Sequence, residues 1–154
     1  MIAKNTDRIT ERVLLHAPRA RVWQALSDSG EFGLWFGVEG LGAFTPGATA
    51  RGKVTEKGYE HVTWEATIER MEPGRLLSFR WHPYAVDPGV DYSGEPTTHV
   101  VFTLEDAPGG TLLTVVETGF NGIPAARRAK AYEMHEQGWV WQMKSISEYL
   151  VKAA

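Results

Sequence analysis

Two glutamates interrupt faces of the sequence that are otherwise apolar. Glu117 lies on the inward face of a predicted strand, and Glu136 lies in the apolar stripe of a predicted helix. Burying a carboxylate is unfavourable unless it is paired or hydrogen-bonded, and burial raises its pKa. Such a group can act as an acid, a base or a polar anchor for a ligand. The alternatives are a rim position that reaches water, or an ion pair with Arg51, Lys53 or Arg80.

An excess of aromatic side chains is the second feature with chemical meaning. The 154 residues include 6 Trp, 6 Phe and 5 Tyr. Plain core packing explains any single ring, but each buried indole N–H needs a partner, so a small core accommodates many tryptophans poorly. Half-buried rings around a cavity would bind an apolar or aromatic ligand. Together with Glu117 and Glu136, the predicted ligand-binding residues are Trp35, Phe36, Trp64, Phe79, Trp81, Val115, Trp139 and Met143.

Other reactive chemistries have no matching motif in the sequence. Cysteine is absent, which excludes thiolate metal sites, iron–sulfur clusters and a cysteine nucleophile. The five histidines form no H-x-x-x-H or H-E-x-x-H spacing, and there is no G-x-S-x-G nucleophile motif. We therefore predict no metal site, no cofactor and no dedicated catalytic residues.

Composition limits the partners and the location of the protein. Hydrophobic residues make up 43% and charged residues 23%, as in globular proteins, and the net charge of −3 argues against nucleic-acid binding. No apolar stretch approaches the ~20 residues of a membrane span. The first ten residues carry Lys4, Asp7 and Arg8 and lack the apolar core of a secretory signal. A cytoplasmic protein formed by a single domain, residues 1–154, is the expectation.

The elements that position the candidate residues can be predicted from hydrophobic periodicity. Alternation of apolar and polar residues predicts six strands over 8–15, 48–55, 62–68, 75–82, 99–105 and 112–118. Two short helices follow the first strand, the second capped by Asp28 or Ser29, and a long helix runs from Pro124 to about Val151. Residues 37–47 are predicted to form a loop. Antiparallel strands with helices on one side indicate an α+β fold.

Five short segments stand in an order and spacing typical of one superfamily. They are Ala17–Leu26, the pair Trp35-Phe36, Pro73–Phe79, Gly110–Phe120 and the pair Gly138-Trp139. Through them the chain resembles the START-like (SRPBCC) superfamily, and within it the branch related to the activator of the heat-shock chaperone ATPase. The resemblance implies a helix-grip fold, in which a curved antiparallel sheet of about six strands wraps on the long C-terminal helix. It also implies a ligand cavity between sheet and helix.

The fold alone does not determine the function, because members of the superfamily differ widely in activity. The leading hypothesis is a non-enzymatic protein that binds a small hydrophobic molecule, aromatic or lipid-like, in the cavity. A second is a polyketide cyclase or hydratase-like enzyme in which a pocket carboxylate manages proton transfer. A third is a module that contacts a chaperone, and contact with a second copy of the chain is also open.

Overall fold

The computed structural model describes residues 6–83 and 90–153 of the chain. Within these ranges the strands are β1 (Arg8–Leu15), β2 (Val38–Glu39), β3 (Thr49–Val54), β4 (Thr63–Glu72), β5 (Leu76–Trp81), β6 (Thr98–Ala107) and β7 (Gly110–Thr118). The helices are α1 (Arg19–Ser27), α2 (Ser29–Phe36) and α3 (Ala125–Lys152), and a 3-10 turn at Phe120–Gly122 precedes α3. The predicted α+β class is confirmed.

The strands form one antiparallel sheet in the order β1-β7-β6-β5-β4-β3-β2. Helix α3 packs against β1 and α2, which confirms the helix-grip arrangement. The six predicted strands are present, and β2 adds a seventh inside the predicted loop over 37–47. Val38 and Glu39 pair with Val54 and Lys53 at the sheet edge. Two residues are too few to show an alternating pattern, so this strand has no periodic signal.

The register of β5, β6 and β7 places two polar side chains inside the apolar face. Trp81 pairs with Thr98, and Glu117 pairs with Val100. Because alternate residues of a strand point to the same side, these four side chains share the inward face of the sheet. Thr98 and Glu117 are completely buried there, among apolar neighbours.

Helix α2 is held close to the sheet edge, and this orients its aromatic residues. The Asp28 side chain caps the helix by accepting a hydrogen bond from a backbone N–H of the first turn at 2.9 Å. Gly37 ends the helix in the left-handed conformation, with φ 94°. Gly33 approaches β2 so closely that a Cβ atom would lie 2.2 Å from a carbonyl oxygen. Trp35 and Phe36 therefore face the inner side of the sheet.

Helix α3 carries the predicted apolar stripe and is bonded to α2. Its buried residues are Ala131, Tyr132, Trp139, Met143, Ile146 and Leu150. Gln142 Nε2 donates to the Phe36 carbonyl at 3.0 Å, and the Ser145 hydroxyl donates to the Trp35 carbonyl at 2.5 Å. These bonds fix the aromatic end of α2 against the middle of α3. Across the described ranges, no helix has the length and apolar character needed to cross a lipid bilayer.

Candidate functional site

The aromatic side chains predicted to face inward contact one another. The Phe36 ring lies 5.5–6.0 Å, centroid to centroid, from the rings of Trp35, Trp64, Trp81 and Trp139. Trp81 and Trp139 stack at 5.7 Å with their planes 27° apart, and Trp64 meets Trp81 at 5.9 Å. These five residues, called the aromatic cluster below, contact one another between the sheet and α3 instead of standing apart.

An open cleft with a volume of about 680 Å³ lies at the outer edge of the aromatic cluster. All five residues of the aromatic cluster line it, and its walls are the end of α2, residues 54–56 and the middle of α3. Leu34 and Trp141 also line it and are 74% and 67% exposed. The volume falls within the range of sites for small molecules. Three other predicted binding residues, Phe79, Val115 and Met143, are buried and do not line the cleft.

Glu117 is completely enclosed, and both of its carboxylate oxygens accept hydrogen bonds. Oε1 accepts from Nδ1 of His135 at 2.6 Å and from Nε1 of Trp139 at 2.8 Å. Oε2 accepts from the Thr98 hydroxyl at 2.5 Å and from Nε1 of Trp81 at 2.8 Å. A carboxylate offers about four lone-pair sites, so its capacity is filled. The group joins β5, β6, β7 and α3 at one point.

The pKa of the Glu117 carboxyl lies below its ordinary value. Burial is the largest influence and raises the pKa, but the charge of His135 and the hydrogen bonds from His135, Thr98 and Trp81 together outweigh it. Glu117 is therefore ionised at neutral pH. The sequence-based expectation of a raised pKa is wrong, because it considered desolvation without the donors that surround the group.

The alternatives predicted for Glu117 also differ from the structure. Its side chain is 0% exposed, so it does not lie at a rim. Arg51 pairs instead with Glu65, and Arg80 pairs with Glu69, each at 3.0 Å. Among the residues that the structure describes, no group of three or more His, Asp or Glu side chains could hold a metal ion. The carboxylate is stabilised by one histidine and three neutral donors.

Glu136 does not share a site with Glu117. It is half-buried on α3, it does not line the cleft, and it is not among the hydrogen-bond partners of Glu117. His135, a residue absent from the predicted site, takes that place. It lies four residues before Trp139 on the helix, so the two side chains can reach the same carboxylate oxygen. Spacing alone does not single out His135, because Glu136 lies three residues before Trp139 and is also its neighbour on the helix.

His135 connects the buried carboxylate to the cleft. Its ring meets the rings of Trp81 and Phe120 at 5.4 and 5.7 Å. The side chain is 15% exposed and lines the cleft. A buried negative charge is therefore linked to the cleft through the imidazole of His135 and the indoles of Trp81 and Trp139, while the carboxylate itself cannot touch a molecule bound there.

Two polar atoms beside the cleft are buried without a hydrogen-bond partner in the described part of the chain. They are Nε1 of Trp64 and Oε1 of Gln142. Trp35 differs, because its indole donates to the carbonyl of Ala25 at 2.8 Å. An unsatisfied buried donor is unfavourable by ~1–3 kcal/mol. Trp64, which is only 7% exposed, is thus the indole of the aromatic cluster with an unused N–H.

The helix-grip fold and the family match place this protein in the START-like superfamily. Residues 16–151 match the family model described as Activator of Hsp90 ATPase homolog 1-like protein, and the chain belongs to this family. No curated protein is significantly similar to it in sequence.

Solved structures give the same fold. A protein of Mesorhizobium loti (MLL2253) is 19% identical, with a TM-score of 0.73, over 96% of this chain and 98% of its own. DynU16, a protein of the dynemicin biosynthetic locus, is 28% identical, with a TM-score of 0.71, over 96% of this chain and 48% of its own. The Aha1 dimer of Colwellia psychrerythraea is 15% identical, with a TM-score of 0.66, over 92% of this chain and 93% of its own.

Proposed function

We propose that this protein binds a small hydrophobic molecule in the cleft beside the aromatic cluster. The observation that carries the proposal is a solvent-open cleft of about 680 Å³ lined by the five side chains of the aromatic cluster. Ring faces favour planar aromatic ligands over flexible lipid chains, because offset stacking and edge contacts add to the gain from burying apolar surface. Trp141 and Leu34, exposed at the mouth, would cover such a ligand.

Similarity to DynU16 supports a small-molecule ligand. That protein belongs to a biosynthetic locus, and this chain spans about half of its length. The proposed contacts combine the aromatic cluster with Trp141, so the ligand would lie at the surface of the packed interior. Deeper between sheet and helix, the rings contact one another.

Removing the Trp141 ring should weaken binding without unfolding the protein. We expect 2-methoxynaphthalene to quench tryptophan fluorescence saturably in the wild type. Trp141→Ala should weaken this binding about tenfold, or ~1.4 kcal/mol, because a large exposed ring at the mouth of the cleft is lost. Trp23→Phe is the matched control, since Trp23 does not line the cleft.

Two results would refute ligand binding in the cleft. One is the absence of saturable quenching by every two-ring and three-ring arene tested, together with native mass spectra of the purified protein that show no retained compound. The other is an equal loss of affinity in Trp141→Ala and Trp23→Phe.

A second candidate is an acid–base enzyme, and the Glu117–His135 pair favours it. A histidine oriented by a carboxylate is a common arrangement for a general base. Because Glu117 is enclosed, His135 rather than a carboxylate would touch the substrate. Turnover of a cleft ligand that disappears in His135→Phe, while binding persists, would support this function.

A protein partner is proposed from the family and from exposed apolar residues. The family is named for activation of the Hsp90 ATPase. Leu34, Val140 and Trp141 are exposed on neighbouring parts of α2 and α3. Stimulation of Hsp90 ATPase activity on mixing, reduced in Trp141→Ala, would support a chaperone contact, whereas no stimulation at saturating concentration would argue against it.

A further inference from the structure

The two ring nitrogens of His135 have different surroundings. Nδ1 lies 2.6 Å from Oε1 of the enclosed Glu117 carboxylate. Nε2 has no hydrogen-bond partner among the residues that the structure describes. Since it is absent from the buried atoms that lack a partner, Nε2 is accessible from outside the protein. Since the side chain is partly exposed and lines the cleft, Nε2 is the nitrogen available to a molecule in the cleft.

The carboxylate determines which nitrogen of His135 carries the proton. An ionised carboxylate only accepts hydrogen bonds, so Nδ1 must donate and must hold a proton. In the neutral imidazole the other nitrogen then has a free lone pair, as in histidines whose tautomer is set by a neighbouring carboxylate. Whenever its imidazole is neutral, His135 thus presents an acceptor at Nε2, next to the ring of Trp81.

We propose that the ligand of the cleft is a hydroxyarene, a phenol-type molecule whose hydroxyl group donates a hydrogen bond to Nε2 of His135. This inference rests on the proposed function and specifies its ligand. The aromatic part of the molecule lies against the aromatic cluster, while the hydroxyl group reaches the imidazole. His135 selects for the hydroxyl group, and Glu117 acts as a positioning residue that holds the required tautomer.

Other ligand classes fit this acceptor less well. A carboxylate has no proton to donate, and it would face the lone pair of Nε2 with the charge of Glu117 behind it. A primary ammonium could donate, but it would lose hydration on entering the aromatic cleft and would repel His135 whenever the imidazole is protonated. A neutral hydroxyl group can donate a hydrogen bond and carries no charge that would lose hydration or be repelled.

The test compares two molecules that share one ring system, where a methyl group in the second replaces the hydroxyl hydrogen of the first. The affinities of 2-naphthol and 2-methoxynaphthalene are measured by fluorescence titration against the wild type and against His135→Phe. We expect the wild type to prefer 2-naphthol at least about fivefold, or ~1 kcal/mol, because 2-naphthol donates one hydrogen bond to an otherwise unpaired acceptor. The preference should nearly vanish in His135→Phe, whatever the change in its affinity for the ether. His16→Phe, at an exposed histidine bonded to the Gly109 carbonyl, should keep the preference.

A second measurement uses only the wild type, because His135→Phe removes a donor from a buried carboxylate and could unfold the protein. Long-range ¹H–¹⁵N correlation spectra report the tautomer of each histidine. We expect Nε2 of His135 to resonate as an unprotonated nitrogen at mildly alkaline pH and to move upfield with 2-naphthol but not with the ether. Equal affinities for 2-naphthol and 2-methoxynaphthalene, together with equal shifts of the Nε2 signal, would overturn the hydroxyarene proposal while leaving ligand binding intact. Binding of 2-naphthylmethylamine or 2-naphthoate more tightly than 2-naphthol would also overturn it. Failure of all four naphthalene compounds to bind would refute both the hydroxyarene proposal and ligand binding in the cleft.

Discussion

Replacing Glu117 with glutamine is expected to lower the free energy of unfolding by about 3–5 kcal/mol, because the only acceptor of several buried donors is removed. Glutamine keeps the shape of glutamate, but its NH₂ group cannot accept, so it faces donors that lose their acceptor. The four donors around the carboxylate come from His135, Trp139, Thr98 and Trp81. Each buried donor left unsatisfied is unfavourable by ~1–3 kcal/mol. Urea unfolding followed by tryptophan fluorescence measures the difference.

The matched control is Glu65→Gln, because Glu65 forms an exposed ion pair with Arg51. Exposed pairs contribute about 1 kcal/mol or less. The effect of Glu117→Gln should also depend on pH. Since the pKa of Glu117 is lower in the folded than in the unfolded chain, its stabilisation is present above the unfolded value and is lost as the pH falls through the folded value. Equal stability of the wild type and Glu117→Gln at neutral pH would contradict the role assigned to this carboxylate.

Truncating Phe32 to alanine should destabilise the protein by a similar amount, about 3–5 kcal/mol. Phe32 is completely buried beneath the cleft, and its ring lies 4.8–5.6 Å from the rings of Trp35, Phe36, Phe44 and Trp64. Alanine leaves a void that these large, mutually packed rings cannot fill without moving. Chemical denaturation measures the loss of stability, and a blunted near-ultraviolet dichroism spectrum would show that the aromatic cluster has loosened.

Leu34→Ala is the control on the same helix. Leu34 is two residues away from Phe32 but is largely exposed, so its truncation should change the free energy of unfolding by no more than about 0.5 kcal/mol. If Phe32→Ala lowered the free energy of unfolding no more than Leu34→Ala, the ring contacts of Phe32 would not stabilise the fold as proposed.

The elements of the fold could be predicted from the sequence because their signals are local. Strands of six to ten residues repeat the alternation of apolar and polar side chains often enough to be recognised, as over Thr63–Glu72. The Asp28 cap follows from the residue type and its position before a helix. Strand β2 escaped prediction because it is held by Gly33 and Gly52, whose missing side chains let the neighbouring backbone and Val38 approach.

The site could be predicted only in part, because it depends on contacts between distant segments. Alternation placed Glu117 on the inward face, where it is buried. Its donors depend on the register of three strands and on the rotation of α3, which no local pattern specifies. Helical periodicity after Tyr132 permits either the third or the fourth residue to face inward, so it could not choose His135 over Glu136.

The sequence likewise could not predict whether the tryptophan rings contact one another or surround a cavity. The sequence predicts that the rings of Trp35, Trp64, Trp81 and Trp139 converge on one space, which is compatible with a cavity or with direct contact. In the structure the Phe36 ring contacts all four, and Trp81 also contacts Trp64 and Trp139. The candidate site is consequently a cleft at the edge of the aromatic cluster.

The most direct test of ligand binding in this cleft is a ¹H–¹⁵N correlation spectrum of the six indole N–H groups during titration with 2-naphthol. Five of these tryptophans line the cleft and only Trp23 does not. We predict that the signals of Trp35, Trp64, Trp81, Trp139 and Trp141 shift saturably, while that of Trp23 stays in place. A titration that moves no indole signal, or that moves Trp23 as much as the others, would contradict the proposal that the cleft is the binding site.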